Sequence, residues 1–270
     1  MKRPTTSKIA KVDEKNRSDV IKRLRSDLLH NLFAIHTLVQ DPEKTTLYAA
    51  YGDNGSLRAH LLVYRGFATI PLAGRIDGEQ EPARRLLEFL LSEKMVLFCP
   101  PTLVNVVREG FPDACFYPEQ QMYVAKGEEC LVAPNLAQRL APEHASLLAE
   151  LYSSGERQSA RSEEGCKELL GKRRVYGVFT DSKLVSASVA VERLPEAWEI
   201  IGVFTDPDYR GRGFATMATS AATHESLKHA GGVSLWVGSE NTPAIRVYQK
   251  LGYKKVGEAF WVDRGTGLKP

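Results

Sequence analysis

The residues best suited to chemistry lie in Glu199–Ala215. An apolar strand-like run is followed by Asp206-Pro207-Asp208-Tyr209, then by Arg210-Gly211-Arg212-Gly213-Phe214-Ala215 and a helix-like stretch. A glycine-rich turn from strand to helix leaves backbone N–H groups without intrahelical partners. It aims them at one point, at the positive end of the helix dipole. Glycine also lets the backbone approach a bulky anion. A diphosphate is the ligand these properties select. The turn lacks the Gly-Lys-Ser/Thr of a P-loop and the G-x-G-x-x-G spacing of a dinucleotide site. Arg210 and Arg212 would be solvated loop charges on their own. Beside a diphosphate, at least one of them is expected to touch it.

Two side chains near this turn can move protons. Thr242-Pro243 predicts a helix start, as cap and first-turn proline, and Ala244, Tyr248 and Leu251 then share one face, which turns Tyr248 inward. Glu199 shares a strand face with Ile201 and Val203. A carboxylate among apolar neighbours is costly unless it is paired or opens on a cleft. Glu192 is a weaker candidate of the same kind.

These residues require a scaffold, and the hydrophobic pattern supplies one twice. The first half reads as a helix over Asn16–Gln40 and strands over Thr46–Tyr51 and Leu57–Tyr64, joined at Gly52-Asp53-Asn54-Gly55. A strand over Ala68–Ala73, a helix over Glu81–Ser92, a strand over Met95–Cys99, a helix over Thr102–Glu109 and a strand pair ending near Val124 follow. The second half reads as helices over Pro142–Tyr152 and Ser162–Leu170, then strands over Val175–Thr180, Leu184–Val191 and Trp198–Thr205. A long helix from Gly213 to Ala230, a strand over Val233–Val237, a helix over Pro243–Leu251 and a strand region over Tyr253–Val262 complete it. Met95-Val96-Leu97-Phe98 and Gly110-Phe111 echo Val233-Ser234-Leu235-Trp236 and Gly252-Tyr253 at a separation of about 140 residues, which marks a tandem duplication. The boundary is expected in the polar stretch Lys126–Leu131, giving domains 1–128 and 129–270.

Asp206–Ala215 resembles the acyl-CoA pyrophosphate motif of the GNAT superfamily of N-acetyltransferases, Arg/Gln-x-x-Gly-x-Gly/Ala. Asn241–Tyr253 resembles that family's second signature, Asn-x-x-Ala-x-x-x-Tyr-x-x-x-Gly-Phe. The resemblance covers roughly 131–262. It implies an α/β (α+β) fold of tandem GNAT-like domains, each a twisted, mixed, mostly antiparallel sheet flanked by helices. Acetyl-CoA, the implied cosubstrate, would lie where the central strands splay apart. Gly211, Arg212, Gly213, Phe214 and Ala215, with Arg210, would hold its diphosphate. Val203, Phe204 and Thr205 would pair with the pantetheine, the N–H near Phe204 would polarise the thioester carbonyl, and Asn241 would touch the pantetheine arm unless it is only a turn residue. A thioester acylates only a neutral amine, and a free alkylamine has a pKa near ~10. Tyr248 is therefore the implied acid for the departing thiolate, and Glu199, eleven residues before Arg210, is the implied base, directly or through a water.

The first half lacks this motif. Ala73–Pro82 misses the glycine spacing, and Asp77, Glu79 and Glu81 would repel a diphosphate, so this copy is expected not to bind CoA. A tandem layout of this kind is similar to the glycine N-acyltransferase-like branch. The implied function is transfer of an acetyl or short acyl group to the primary amine of a small molecule or amino acid. A protein-lysine acetyltransferase and a non-catalytic acyl-CoA-binding regulator are the alternatives. The acceptor would approach along Tyr152–Gly165, past Glu156, Arg157, Arg161, Glu163 and Glu164.

The 36 basic and 33 acidic residues are dispersed, which argues against a nucleic-acid partner. No apolar run reaches the ~18–20 residues of a membrane span. Met1–Glu14 has no apolar core, so no signal peptide is expected. Cys99, Cys115, Cys130 and Cys166 show no CxxC spacing and are expected as free, buried thiols of a cytoplasmic protein. No metal is expected. An oligomer is left open.

Overall fold

A computed structural model describes residues 8–67, 70–155 and 162–269. The chain divides into two compact units: Met1–Glu119 with Glu258–Pro270, and Gln120–Gly257.

In the first unit, β1 (Lys8–Lys11) leads through α1 (Arg17–Leu24) and α2 (Leu28–Gln40) to the hairpin of β2 (Thr45–Tyr51) and β3 (Leu57–Tyr64). There follow β4 (Ala73–Gly78), α3 (Gln80–Leu87), β5 (Met95–Cys99), α4 (Val104–Gly110) and the start of β6 (Cys115–Ala125). β1 to β4 are antiparallel neighbours, and β5 lies parallel to β4. The far side of β5 is closed by the last strand of the chain, β12 (Lys254–Arg264), antiparallel with Val262 opposite Leu97. Leu61, Ile76, Leu86, Leu97 and Phe111 are fully buried in this core, each contributing ~1.5–3 kcal/mol over exposure.

The second unit repeats the plan. β7 (Gln138–Arg139), α5 (Ala145–Ser153), α6 (Glu163–Lys172), β8 (Arg174–Thr180), β9 (Lys183–Leu194) and β10 (Ala197–Thr205) come first. Then come α7 (Phe214–His229), β11 (Gly232–Gly238) and α8 (Thr242–Lys250). β7 to β10 are antiparallel, β11 is parallel to β10, and β6 lies beyond β11. α7 packs on this sheet through small side chains: Ala218, Thr219, Ser220, Ala221, Ala222, Thr223 and Ser226 are all buried. The tandem, mixed-sheet architecture is thus present in both halves.

Several expected boundaries move. The chain leaves the first unit inside β6 rather than at 128, and 258–270 return to it, because β5 takes its outer partner from β12. The helix expected over Asn16–Gln40 is broken at Asp27, whose ψ of 71° is not helical. There Asn31 Nδ2 donates to the carbonyls of Leu24 (3.2 Å) and Asp27 (3.0 Å). The strand expected over Ala68–Ala73 instead runs Ala73–Gly78, and 68–69 lie outside the described residues. The expected strand pair before Val124 is the single strand β6. All four cysteines are free, but Cys115 and Cys130 are exposed rather than buried. No helix among the described residues is long and apolar enough to cross a membrane.

Candidate functional site

The parallel pairing of β10 with β11 runs only from Trp198 opposite Val233 to Ile200 opposite Leu235. Beyond it, Ile201–Thr205 continue beside β9 while β11 goes on to Gly238 without pairing to them. The two strands therefore part, and the cleft the motif requires opens between them. A bulge adds to the opening. Ile201 faces Val189 and Phe204 faces Ala187, so Gly202 and Val203 share the single residue between those partners. A bulge leaves one backbone unit out of the ladder. The Tyr152 hydroxyl donates to the Gly202 carbonyl at 3.4 Å, and the Tyr152 ring packs edge-on to Phe204.

The glycine turn stands at the mouth of this cleft. Gly211 (φ +77°) and Gly213 (φ +85°) are left-handed, and nothing lies within 4 Å of where a Cβ would sit on either. Any other residue would be strained there and would fill the space an anion needs. Gly213 is the N-cap of α7 and no side chain caps the helix, so the dipole end and its free N–H groups face outward. Phe214 and Ala215, half-buried, form the first helical positions. Arg210 and Arg212 are exposed beside the turn. Arg210 Nε donates to the Thr205 carbonyl (3.3 Å), and the Arg212 guanidinium lies 5.2 Å from the Tyr209 ring centroid. Cradle, dipole and charge together fit a diphosphate.

Sequence reasoning missed what holds this turn. Asp206 is 2% exposed. It accepts the Asp208 N–H at 3.0 Å and pairs with Lys183 Nζ at 2.9 Å. The hydrogen bond from Lys183 pulls Asp206 below the usual carboxylate range, and the same contact raises Lys183. Lys183 also sits 5.1 Å from the Tyr209 ring. The Asp-Pro pair was a visible turn signal, whereas Lys183 lies at the start of β9, with no local pattern tying it to the turn. Ser186 Oγ and Thr205 Oγ1, 2.8 Å apart, tie the end of β10 to β9.

Tyr248 is buried (6% exposed) in the cluster that includes Ile200, Leu235 and Tyr253, with Val203 packed against it. Burial alone pushes its hydroxyl up to about 12, and no hydrogen bond to it is found among the described residues. Tyr253 differs: its hydroxyl is 2.7 Å from Thr223 Oγ1. Asn241 caps α8, its side chain accepting the Ala244 N–H at 3.2 Å, so the cap is Asn241 rather than Thr242.

Glu199 lies on the sheet face opposite Trp198 and Ile200, the side of α5 and α6. It is not an isolated carboxylate: Arg193 holds its Oε2 through Nε (2.8 Å) and Nη2 (2.7 Å). Glu192 is removed from the cleft by its pair with Arg174 at 2.9 Å. Of the acceptor edge, Glu163 and Glu164 open α6 behind the Ser162 cap, and Glu156, Arg157 and Arg161 lie outside the described residues. Among the described residues no group of three or more His, Cys, Asp or Glu side chains is placed to hold a metal.

Strand divergence, bulge, uncapped glycine turn and buried tyrosine stand together in a GNAT-type fold. Residues 142–253 match the model of the Acetyltransferase (GNAT) family. An uncharacterized N-acetyltransferase of Methanocaldococcus jannaschii is 43% identical over 61 residues, which are 22% of this chain and 27% of the relative's length. The full-length likeness is one of fold. A Drosophila protein of 12% identity matches with a TM-score of 0.71, over 96% of this chain and 98% of its own. A tandem GNAT protein from the clavulanic acid biosynthesis pathway, 15% identical, matches with 0.54 over 97% and 100%.

Proposed function

We propose that the protein is an acyl-CoA-dependent N-acyltransferase that moves an acetyl or short acyl group to the primary amine of a small molecule or amino acid. The observation that carries this reading is the buried Tyr248, whose hydroxyl has no hydrogen-bond partner among the described residues, beside the point where β10 and β11 part. Acetyl-CoA supplies an activated thioester. The N–H groups of Gly211–Ala215 bind its diphosphate, and Arg210 or Arg212 adds charge at the rim. The end of β10, Val203–Thr205, offers a free strand edge to the pantetheine, and Asn241 stands at the mouth as the cap of α8. At the bulge of Gly202–Val203, a backbone N–H near Phe204 polarises the thioester carbonyl, as preorganised donors stabilise developing charge. Glu199, fixed by Arg193, takes the amine proton directly or through a water it orients, and the neutral amine attacks the carbonyl carbon. As the C–S bond breaks, Tyr248, protonated across the working pH range, donates to the departing sulfur.

The test is thiol release from acetyl-CoA against a panel of amino acids, short amines and lysine peptides. A small amine supporting turnover fits the proposal. Turnover on peptides alone points to a protein acceptor, and CoA binding without turnover on any amine points to a regulator.

A further inference from the structure

The first unit contains a cavity of about 550 Å³ that takes no part in the site above. It lies between the α1–α2 break, the β2–β3 hairpin, and the adjoining ends of β3 and β4. Its volume is in the range of small-molecule sites, about 300–1,000 Å³. Asn31 and His60, 4% and 5% exposed, stand on its wall, and each keeps a buried polar atom without a hydrogen-bond partner among the described residues: Asn31 Oδ1 and His60 Nε2. Because Asn31 Nδ2 donates to the Leu24 and Asp27 carbonyls, its oxygen is fixed as an acceptor lacking a donor.

The charges on the wall are of both signs. Asp77, opposite His60 in the β3–β4 pairing, lies 3.3 Å from His30. Burial raises Asp77, but the His30 hydrogen bond and the nearby imidazoles outweigh it and hold the carboxyl at about 2. Burial lowers His60 to about 4, leaving it a neutral imidazole. Two guanidiniums complete the lining: Arg58, paired with Glu79, and Arg23, whose Nη1 donates to the Gly55 carbonyl at 2.8 Å.

We infer that this cavity binds a small zwitterion of the amino-acid class. Asp77 receives the ammonium group, and Arg23 and Arg58 receive the carboxylate. A polyamine would satisfy Asp77 but meet repulsion from the guanidiniums. This is a binding site only, and it does not depend on the transfer reaction assigned to the second unit.

The experiment is calorimetric titration of the full-length protein with glycine, alanine, glutamate and putrescine as probes. It is repeated on Asp77→Asn and Arg58→Gln, with acetyl-CoA titrated alongside as an independent readout of the second unit. At least one amino acid binds, each substitution weakens it about tenfold or more, and acetyl-CoA affinity stays at the wild-type value. If Asp77→Asn fails to fold, Arg58→Gln decides, because its ion pair with the exposed Glu79 contributes little to the fold. The inference is overturned if no amino acid binds at millimolar concentration. It is equally overturned if both substitutions leave the affinity unchanged, or if putrescine binds better than every amino acid.

Discussion

The two copies part their central strands in the same way but turn into the next helix differently. β4 pairs with β5 only from Ala73 to Arg75, as β10 pairs with β11 only from Trp198 to Ile200. Beyond that point the second unit has the eight residues Asp206–Gly213, with two left-handed glycines and a buried aspartate, before α7 begins. The first unit has one residue, Glu79, between β4 and α3, and its carboxylate is paired with Arg58. At the acid position, Val106 stands four residues before Gly110, as Tyr248 stands four before Gly252. The splayed sheet is therefore a feature of the scaffold. The turn and the tyrosine are what would make one copy of it a transferase.

The largest effect should come from Tyr248→Phe. It removes the proton donor and leaves the cradle intact, so kcat should fall ~10²–10⁴-fold with acetyl-CoA affinity unchanged. A fall of less than about threefold in a thiol-release assay would take the acid role away from Tyr248, since general acid catalysis contributes far more. Next, Gly213→Val imposes a β-branched side chain at φ +85° and fills the approach to the N–H groups of α7. Acetyl-CoA affinity should drop about a hundredfold, whereas Glu79→Val at the matching junction should leave it unchanged. Equal losses would erase the contrast between the copies.

The units should also differ in their response to acid. His60, in the first unit, is held neutral with its folded value near 4, against 6.5 in the unfolded chain. Between those values the unfolded state binds the extra proton, so stability falls as pH drops from about 6.5 toward 4 and levels off below. The contribution between pH 7 and pH 5 is on the order of 2 kcal/mol. Urea unfolding of His60→Gln should be flatter than wild type across that window, and parallel curves would refute the assignment. The smallest effect is expected from Lys183→Met. It removes the partner of Asp206, whose folded value is lowered, so the stability lost is that present above the unfolded aspartate value near ~4 and absent in stronger acid. With Lys183 half-exposed, the loss of stability should be small, with a several-fold rise in KM for acetyl-CoA and little change in kcat. An unchanged KM would mean that the turn needs no such support.

Where the signal is local, the fold was legible from residues alone. β3, β5 and the course of α7 follow from apolar alternation and from the glycines at 213 and 231–232, and the left-handed turn before α7 follows from its two glycines. The exchange of final strands was not legible: Val262 meets Leu97 across 165 residues, and a pairing of that span leaves no mark in either segment. The Arg193 grip on Glu199 escaped notice because it depends on β9 and β10 lying side by side. The strand at Ala73–Gly78 lies beyond the expected end at Ala73 because its glycines and charges interrupt the apolar run. Gly74 and Gly78 instead allow close strand approach, and Arg75 and Asp77 find their places in the packed sheet.

The central claim is that a single copy holds the acyl donor, at the glycine turn of α7. Calorimetric titration of the full chain with acetyl-CoA measures it directly. One site per chain, lost in Gly213→Val and retained in Glu79→Val, is the predicted result. Two equivalent sites, or binding indifferent to Gly213→Val, would contradict it.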